Sequence, residues 1–160
     1  MNLRSTRHPF PEENRAKLVD LLNVRLAALG DLRSQVKQAH WNVRGPQFIA
    51  LHELFDQLVG DLTGQIDEVA ERATALGGLA LGTVRLSAKH SILDELPVDA
   101  TDGLELVTHL SDRYAQVSAL LTKGINAAED LGDEVTVDLF IEVNASIDKN
   151  LWFLEAHLGS

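Results

Sequence analysis

The chain has 160 residues, 24 acidic against 14 basic side chains, a formal net charge of −10 and no cysteine. That length fits one domain with a core able to stand without cross-links, and the missing thiols exclude disulfide frameworks, thiolate zinc sites and cysteine nucleophiles. The acidic balance repels phosphate backbones and favours cations; with no export-type apolar segment and no apolar run approaching about 18 residues, a soluble cytoplasmic protein is expected.

Residues 1–10 read as a short tail and residues 11–160 as one all-α domain. A first helix is predicted from Pro11, which suits the first helical position, through Leu18, Leu22, Leu26, Leu29, Leu32 and Val36 towards Val43. Gly30 is an interior blemish in it, costing about 1 kcal/mol. Gly45-Pro46 closes that helix and opens a second, which runs through Leu51, Leu58, Leu62, Ile66 and Val69 to Gly77-Gly78. So short a connection makes the two antiparallel neighbours.

A long crossover follows, in which Ser91 to Leu96 is expected to form a short helix that Pro97 stops. Asp102 with Glu105 reads as a capping box opening a third long helix that ends at Gly132. The fourth begins at about Asp133 to Thr136 and continues through Phe140, Ile147 and Leu151 to Leu158. Two long hairpins joined by one crossover make a four-helix bundle.

The polar residues carry the chemistry. Along one continuous helix His40 and His52 would stand about 18 Å apart, but folding the chain at Gly45-Pro46 brings them to similar heights. Asp56 lies one turn beyond His52 and faces the same way. On the second helix His52, Asp56, Asp67 and Glu71 fall within a stripe roughly 100° wide but about 28 Å long, too long for a single ion.

The numbering suggests how a second chain resolves this. The pairs 52/71 and 56/67 share one midpoint, between Asp61 and Leu62. Two copies of the helix crossing antiparallel about a two-fold axis there would set His52 opposite Glu71 and Asp56 opposite Asp67 of the other copy. Gly60 and Gly64 lie close to that crossing, where absent side chains permit close approach. Imidazole and carboxylate ligands suit iron better than the closed sulfur sites of zinc, with zinc or manganese as competitors.

Lys37-Gln38-Ala39-His40-Trp41-Asn42-Val43-Arg44-Gly45, Leu51-His52-Glu53 with Asp56, Asp67-Glu68-Val69-Ala70-Glu71-Arg72, Ser111-Asp112-Arg113-Tyr114 and Asn150-Leu151-Trp152-Phe153 together closely resemble the signature of Dps, the DNA-binding proteins from starved cells. The resemblance runs from about Asn14 onward. It implies a ferritin-like bundle assembled into a hollow homododecamer that oxidises ferrous iron, preferentially with hydrogen peroxide, and stores the ferric mineral. His40, His52, Asp56, Asp67 and Glu71 match the family's inter-subunit iron ligands, with Lys37 nearby.

By the same resemblance Trp41 and Trp152 lie near the site and intercept stray oxidising equivalents, although core packing is the setting that large aromatic side chains favour. Glu53 resembles a cavity-facing position that nucleates mineral. Asp130, Asp133, Glu134 and Asp138 fall where the family lines an acidic pore, Asp138 matching best, while Val135 stands where some relatives have another aspartate.

The competing function is a nucleoid-associated protein whose main task is binding DNA. Against it, the N-terminus offers only Arg4, Arg7 and His8 in place of a lysine-rich tail, on a strongly acidic chain. A di-iron oxidase of the bundle-core type would need Glu-x-x-His motifs, and the chain has none. Nor does it contain a nucleophile elbow or a phosphate-cradling loop.

Overall fold

A computed structural model describes residues 3–159. Its helices are α1 (Glu12–Asn42), α2 (Phe48–Ala75), the short α3 (Val84–His90), α4 (Gly103–Asp130) and α5 (Glu134–Glu155). The four long helices form a bundle around one core that includes Leu22, Leu29, Phe55, Leu62, Leu110, Phe140 and Ile147. Among the described residues no helix is long and apolar enough to cross a membrane.

The helix ends follow from capping chemistry. Glu12 and Glu13 place negative charge at the start of α1. Asp102 accepts hydrogen bonds from the N–H groups of Leu104 and Glu105 at 3.0 and 3.1 Å, which opens α4. Helices α2 and α4 both end in Schellman turns: Gly77 N–H donates to Thr74 and Gly78 N–H to Ala73, then Gly132 N–H to Glu129 and Asp133 N–H to Ala128. Gly77 (φ 91°) and Gly132 (φ 78°) supply the left-handed residue that each turn requires. Pro46 precedes α2 without joining its first turn, because the helix starts only at Phe48.

The crossover carries its short helix earlier than expected. The Thr83 hydroxyl accepts from Leu86 N–H and starts α3 there, while Ser91 is already extended (φ −63°, ψ 148°). The Ser91 hydroxyl then accepts from Leu93 N–H at 3.1 Å, a local bond that competes with helix continuation. Gly30 is where α3 lands on α1, since a Cβ there would come within 2.8 Å of Ser87 Oγ. Further along, Arg113 donates to Gln35 and to the Glu95 carbonyl, and Gln35 to the Asp94 carbonyl, which pins the crossover to α1 and α4.

The N-terminal segment also has a fixed course. Arg4 donates from its main-chain N–H to Gly77 and from its guanidinium to Thr74, both at 2.8 Å, and Arg15 donates to the Leu76 carbonyl. Leu3 and Phe10 pack against the core. At the other end of the chain α5 stops at Glu155, short of the expected Leu158, and continues as a turn.

Candidate metal centre

The last turn of α1 and the first turns of α2 bring His40 and His52 face to face. Their rings stack with centroids 3.8 Å apart and planes 20° from parallel. The Nδ1 of His40 lies 2.8 Å from the His52 carbonyl, and the Nδ1 of His52 lies 3.0 Å from the His40 carbonyl. A carbonyl oxygen only accepts, so both Nδ1 atoms carry the proton and donate, leaving both Nε2 lone pairs free. Fixing one ring nitrogen so that the other can bind a metal is the usual arrangement at imidazole ligands.

Asp56 completes this group: its Oδ1 stands 4.0 Å from His40 Nε2. The same oxygen accepts from Lys37 Nζ at 2.6 Å. The hydrogen bond and charge of Lys37 hold the Asp56 carboxyl below its ordinary range, with the two histidines adding to the effect. Asp56 is exposed and Lys37 partly so, and the pair contributes little to stability.

Asp67 and Glu71 are exposed further along α2, and their carboxylates make no hydrogen bond or ion pair among the described residues. The single chain thus gathers two imidazoles and one carboxylate and leaves the other two carboxylates apart. Among the described residues no group of three or more His, Asp or Glu side chains is close enough to hold an ion unaided. Gly60 and Gly64 lie between the two sets, and a Cβ on either would meet nothing within 4 Å.

The remaining sequence candidates divide. Trp41 is 68% exposed and Trp152 62%, so neither is a core residue: each sits on an outward-facing position of its helix. Glu53, Asp130, Glu134 and Asp138 are exposed. Asp133 is not. It is buried beneath Arg72, which donates to its two oxygens at 2.9 and 2.8 Å, and beside Thr136, whose hydroxyl donates to Oδ2. Burial pushes the Asp133 carboxyl up, but the hydrogen bonds of Thr136 and Arg72 and the guanidinium charge outweigh it and hold it below its ordinary value. Its carboxylate is committed inside the chain and does not face solvent.

Arg72 was given no role on sequence grounds. Its partner is 61 positions away, and the local hint, a basic residue directly after Glu71, does not say which way it points. The Lys37–Asp56 pair escaped in the same way, being formed between two helices.

Comparison with known proteins decides the family. The family model described as Ferritin-like domain matches residues 19–160. The DNA protection during starvation protein of Agrobacterium fabrum is 37% identical over 158 residues, covering 99% of this chain and 98% of that protein. This chain belongs to the Dps family of ferritin-like proteins. Among solved structures, the Mycobacterium smegmatis Dps in its tetragonal form superposes with a TM-score of 0.92 at 34% identity, covering 99% of this chain and 94% of that one. The Dps protein of Vibrio cholerae, described as a member of a broad superfamily of ferritin-like diiron-carboxylate proteins, superposes at 0.90 with 27% identity and 99% coverage of both chains. The Dps-family fold therefore extends over almost the entire chain.

Proposed function

We propose that this Dps-family protein oxidises ferrous iron with hydrogen peroxide, more slowly with oxygen, at sites shared between two chains, and stores the ferric product inside a dodecameric cage. The observation that carries the reading is the reciprocal His40–His52 lock. Two imidazoles are held with their Nε2 lone pairs free beside Asp56, on the helix that also carries Asp67 and Glu71.

A second copy of α2, crossing antiparallel near Asp61 and Leu62, would bring its Asp67 and Glu71 to this half-site. The open flanks of Gly60 and Gly64 support such a crossing. Each shared site would then hold His40, His52 and Asp56 from one chain and two carboxylates from the other, a mixed nitrogen and oxygen set suited to iron and also accessible to zinc or manganese.

Iron is the substrate here. Two ferrous ions each give one electron to hydrogen peroxide, whose O–O bond breaks to yield hydroxide, and the ferric ions pass to the mineral. The imidazoles and carboxylates hold the reductant where this transfer is completed without releasing hydroxyl radical. Exposed Trp41 and Trp152 would take up equivalents that escape, and Glu53, Asp130, Glu134 and Asp138 are the candidates for nucleating mineral and conducting cations.

Protection of DNA, the property named in the relatives, follows from removing these two reagents and requires no contact with DNA. Arg4, one of the few N-terminal cations, is already engaged at the end of α2. The deciding experiment replaces Asp67 and Glu71 with alanine: the assembled mass should be unchanged and rapid ferrous oxidation by peroxide lost. Oxidation at the original initial rate would sink the site assignment. A gel-shift titration with metal-free protein at physiological salt and neutral pH should show no retardation of DNA.

A further inference from the structure

The Arg72–Asp133–Thr136 group is a largely buried polar cluster outside the half-site just described, and it uses a residue that directly follows Glu71. The Arg72 side chain is 14% exposed and that of Asp133 6%. Arg72 donates from Nε to the Thr136 hydroxyl at 3.1 Å and from Nη2 to both Asp133 oxygens. The guanidinium thus bridges the end of α2 to the first turn of α5. Two nitrogens of one planar guanidinium, committed to two different side chains, restrict rotation as well as distance.

A second polar link joins the same two helices. Asn150, 1% exposed, donates to Asp61 Oδ2 at 3.1 Å. Asp61 and Arg72 are about 16 Å apart along α2, and Asp67 and Glu71 both lie between them. Helix α2 packs far more extensively on α1 than on α5, and these links tie its middle and its C-terminal end to α5. The carboxylate pair itself is exposed and, among the described residues, makes no hydrogen bond or ion pair that would orient it.

We propose that Arg72, clamped by Asp133 and Thr136, is the positioning residue for the Asp67/Glu71 half of the metal site, and that the same clamp fixes the acidic segment from Asp130 to Asp138 relative to it. The inference rests on the assignment of Asp67 and Glu71 as ligands. It gives Asp133 a role different from that of its exposed neighbours: it anchors the segment from which Asp130, Glu134 and Asp138 project. Two cation-handling surfaces thereby share one buried ion pair, and loosening it would let the carboxylates drift from the register that the imidazole half demands.

The test uses the assembled, metal-free protein titrated with cobalt(II), whose visible absorption reports ligand number and geometry. Arg72→Met and Thr136→Val should weaken cobalt binding by about tenfold or more, as loss of supporting partners typically does at metal sites, and should alter the absorption band at unchanged assembled mass. Arg72→Lys, keeping the charge without the fork, should fall between. Should Arg72→Met fail to assemble, Thr136→Val, which deletes one hydrogen bond, decides. Cobalt affinity and spectra matching the unmodified protein in the variants, while Asp67→Ala abolishes binding, would overturn the clamp alone. Binding that survives Asp67→Ala overturns the ligand assignment and the proposal with it.

Discussion

His40 and His52 each anchor the other through the main chain: the ring of one donates to the carbonyl of the other, in both directions. The rings stack, yet neither depends on the other's side chain for its hydrogen bond. Two imidazoles from different helices are therefore oriented by the backbone of a single hairpin.

This makes the two imidazoles separable. His52→Ala should weaken ferrous binding by at least about tenfold, comparable to losses seen when metal sites are disturbed, while His40 keeps its proton on Nδ1. Nitrogen-15 imidazole shifts read the tautomer directly, and a His40 that changes tautomer in this variant would refute the main-chain anchor.

At the proposed site Lys37 would compete with metal for Asp56. Replacing Lys37 with methionine should raise divalent-cation affinity about twofold to fivefold, the scale of an exposed ion pair. It should also return the Asp56 carboxyl towards its ordinary range, moving the acid limit of binding to higher pH. Competition against a chelating indicator measures both effects, and a loss of affinity would show that Lys37 assists binding.

Asp133 predicts a pH dependence of stability. Its folded-state pKa is depressed, so its contribution is fully present above the unfolded value of about 4 and is lost as pH falls through the lower folded value. Asp133→Asn should destabilise the protein at neutral pH by about 1–3 kcal/mol, because the partly buried Arg72 loses its charged partner, and should flatten the acid side of the stability profile. Denaturation midpoints between about pH 2 and 7 test this; an unchanged acid limb would contradict the assignment.

The helix glycines should behave oppositely. At Gly30 an alanine gains about 1 kcal/mol of helix propensity but meets Ser87 Oγ at 2.8 Å, and overpacking of about 1–3 kcal/mol should prevail unless Ser87 is also trimmed to alanine. At Gly60 nothing opposes the new methyl within the chain. Gly60→Ala should therefore stabilise the isolated subunit by about 1 kcal/mol and weaken pairing of subunits. Thermal melts and sedimentation separate the two, and undiminished pairing would argue against a close crossing at this point.

The long helices were legible because an apolar stripe of helical period and a glycine or proline at each end are local facts. Gly77 and Gly132 fall where the expected stops were, and Asp102 caps its helix as its spacing with Glu105 suggested. The short helix was displaced because Thr83 and Ser91 outcompete the apolar pattern of residues 91–96 through single hydroxyl bonds. Trp41 and Trp152 were expected in the core on side-chain character alone, but their positions on the helices turn them outward.

For the site, hairpin geometry made the approach of His40 to His52 legible, and the stripe on α2 grouped the carboxylates. The inward turn of Asp133 was not, since its acidic neighbours look alike in sequence and only the distant Arg72 distinguishes it. Gly30 shows the same limit: its cost could be read locally, but its reason lies on α3.

The imidazole pair spans a sequence separation of 12, whereas the Arg72–Asp133 contact spans 61. Contacts closing short loops form early, and those closing long ones wait for the rest of the chain. During folding, the α1–α2 hairpin should display its nitrogen donors before the crossover and α5 have docked. If the proposed site is real, ferrous ions would meet half of a binding set on an unfinished chain, and metal present during refolding would change the kinetics of folding as well as the finished protein.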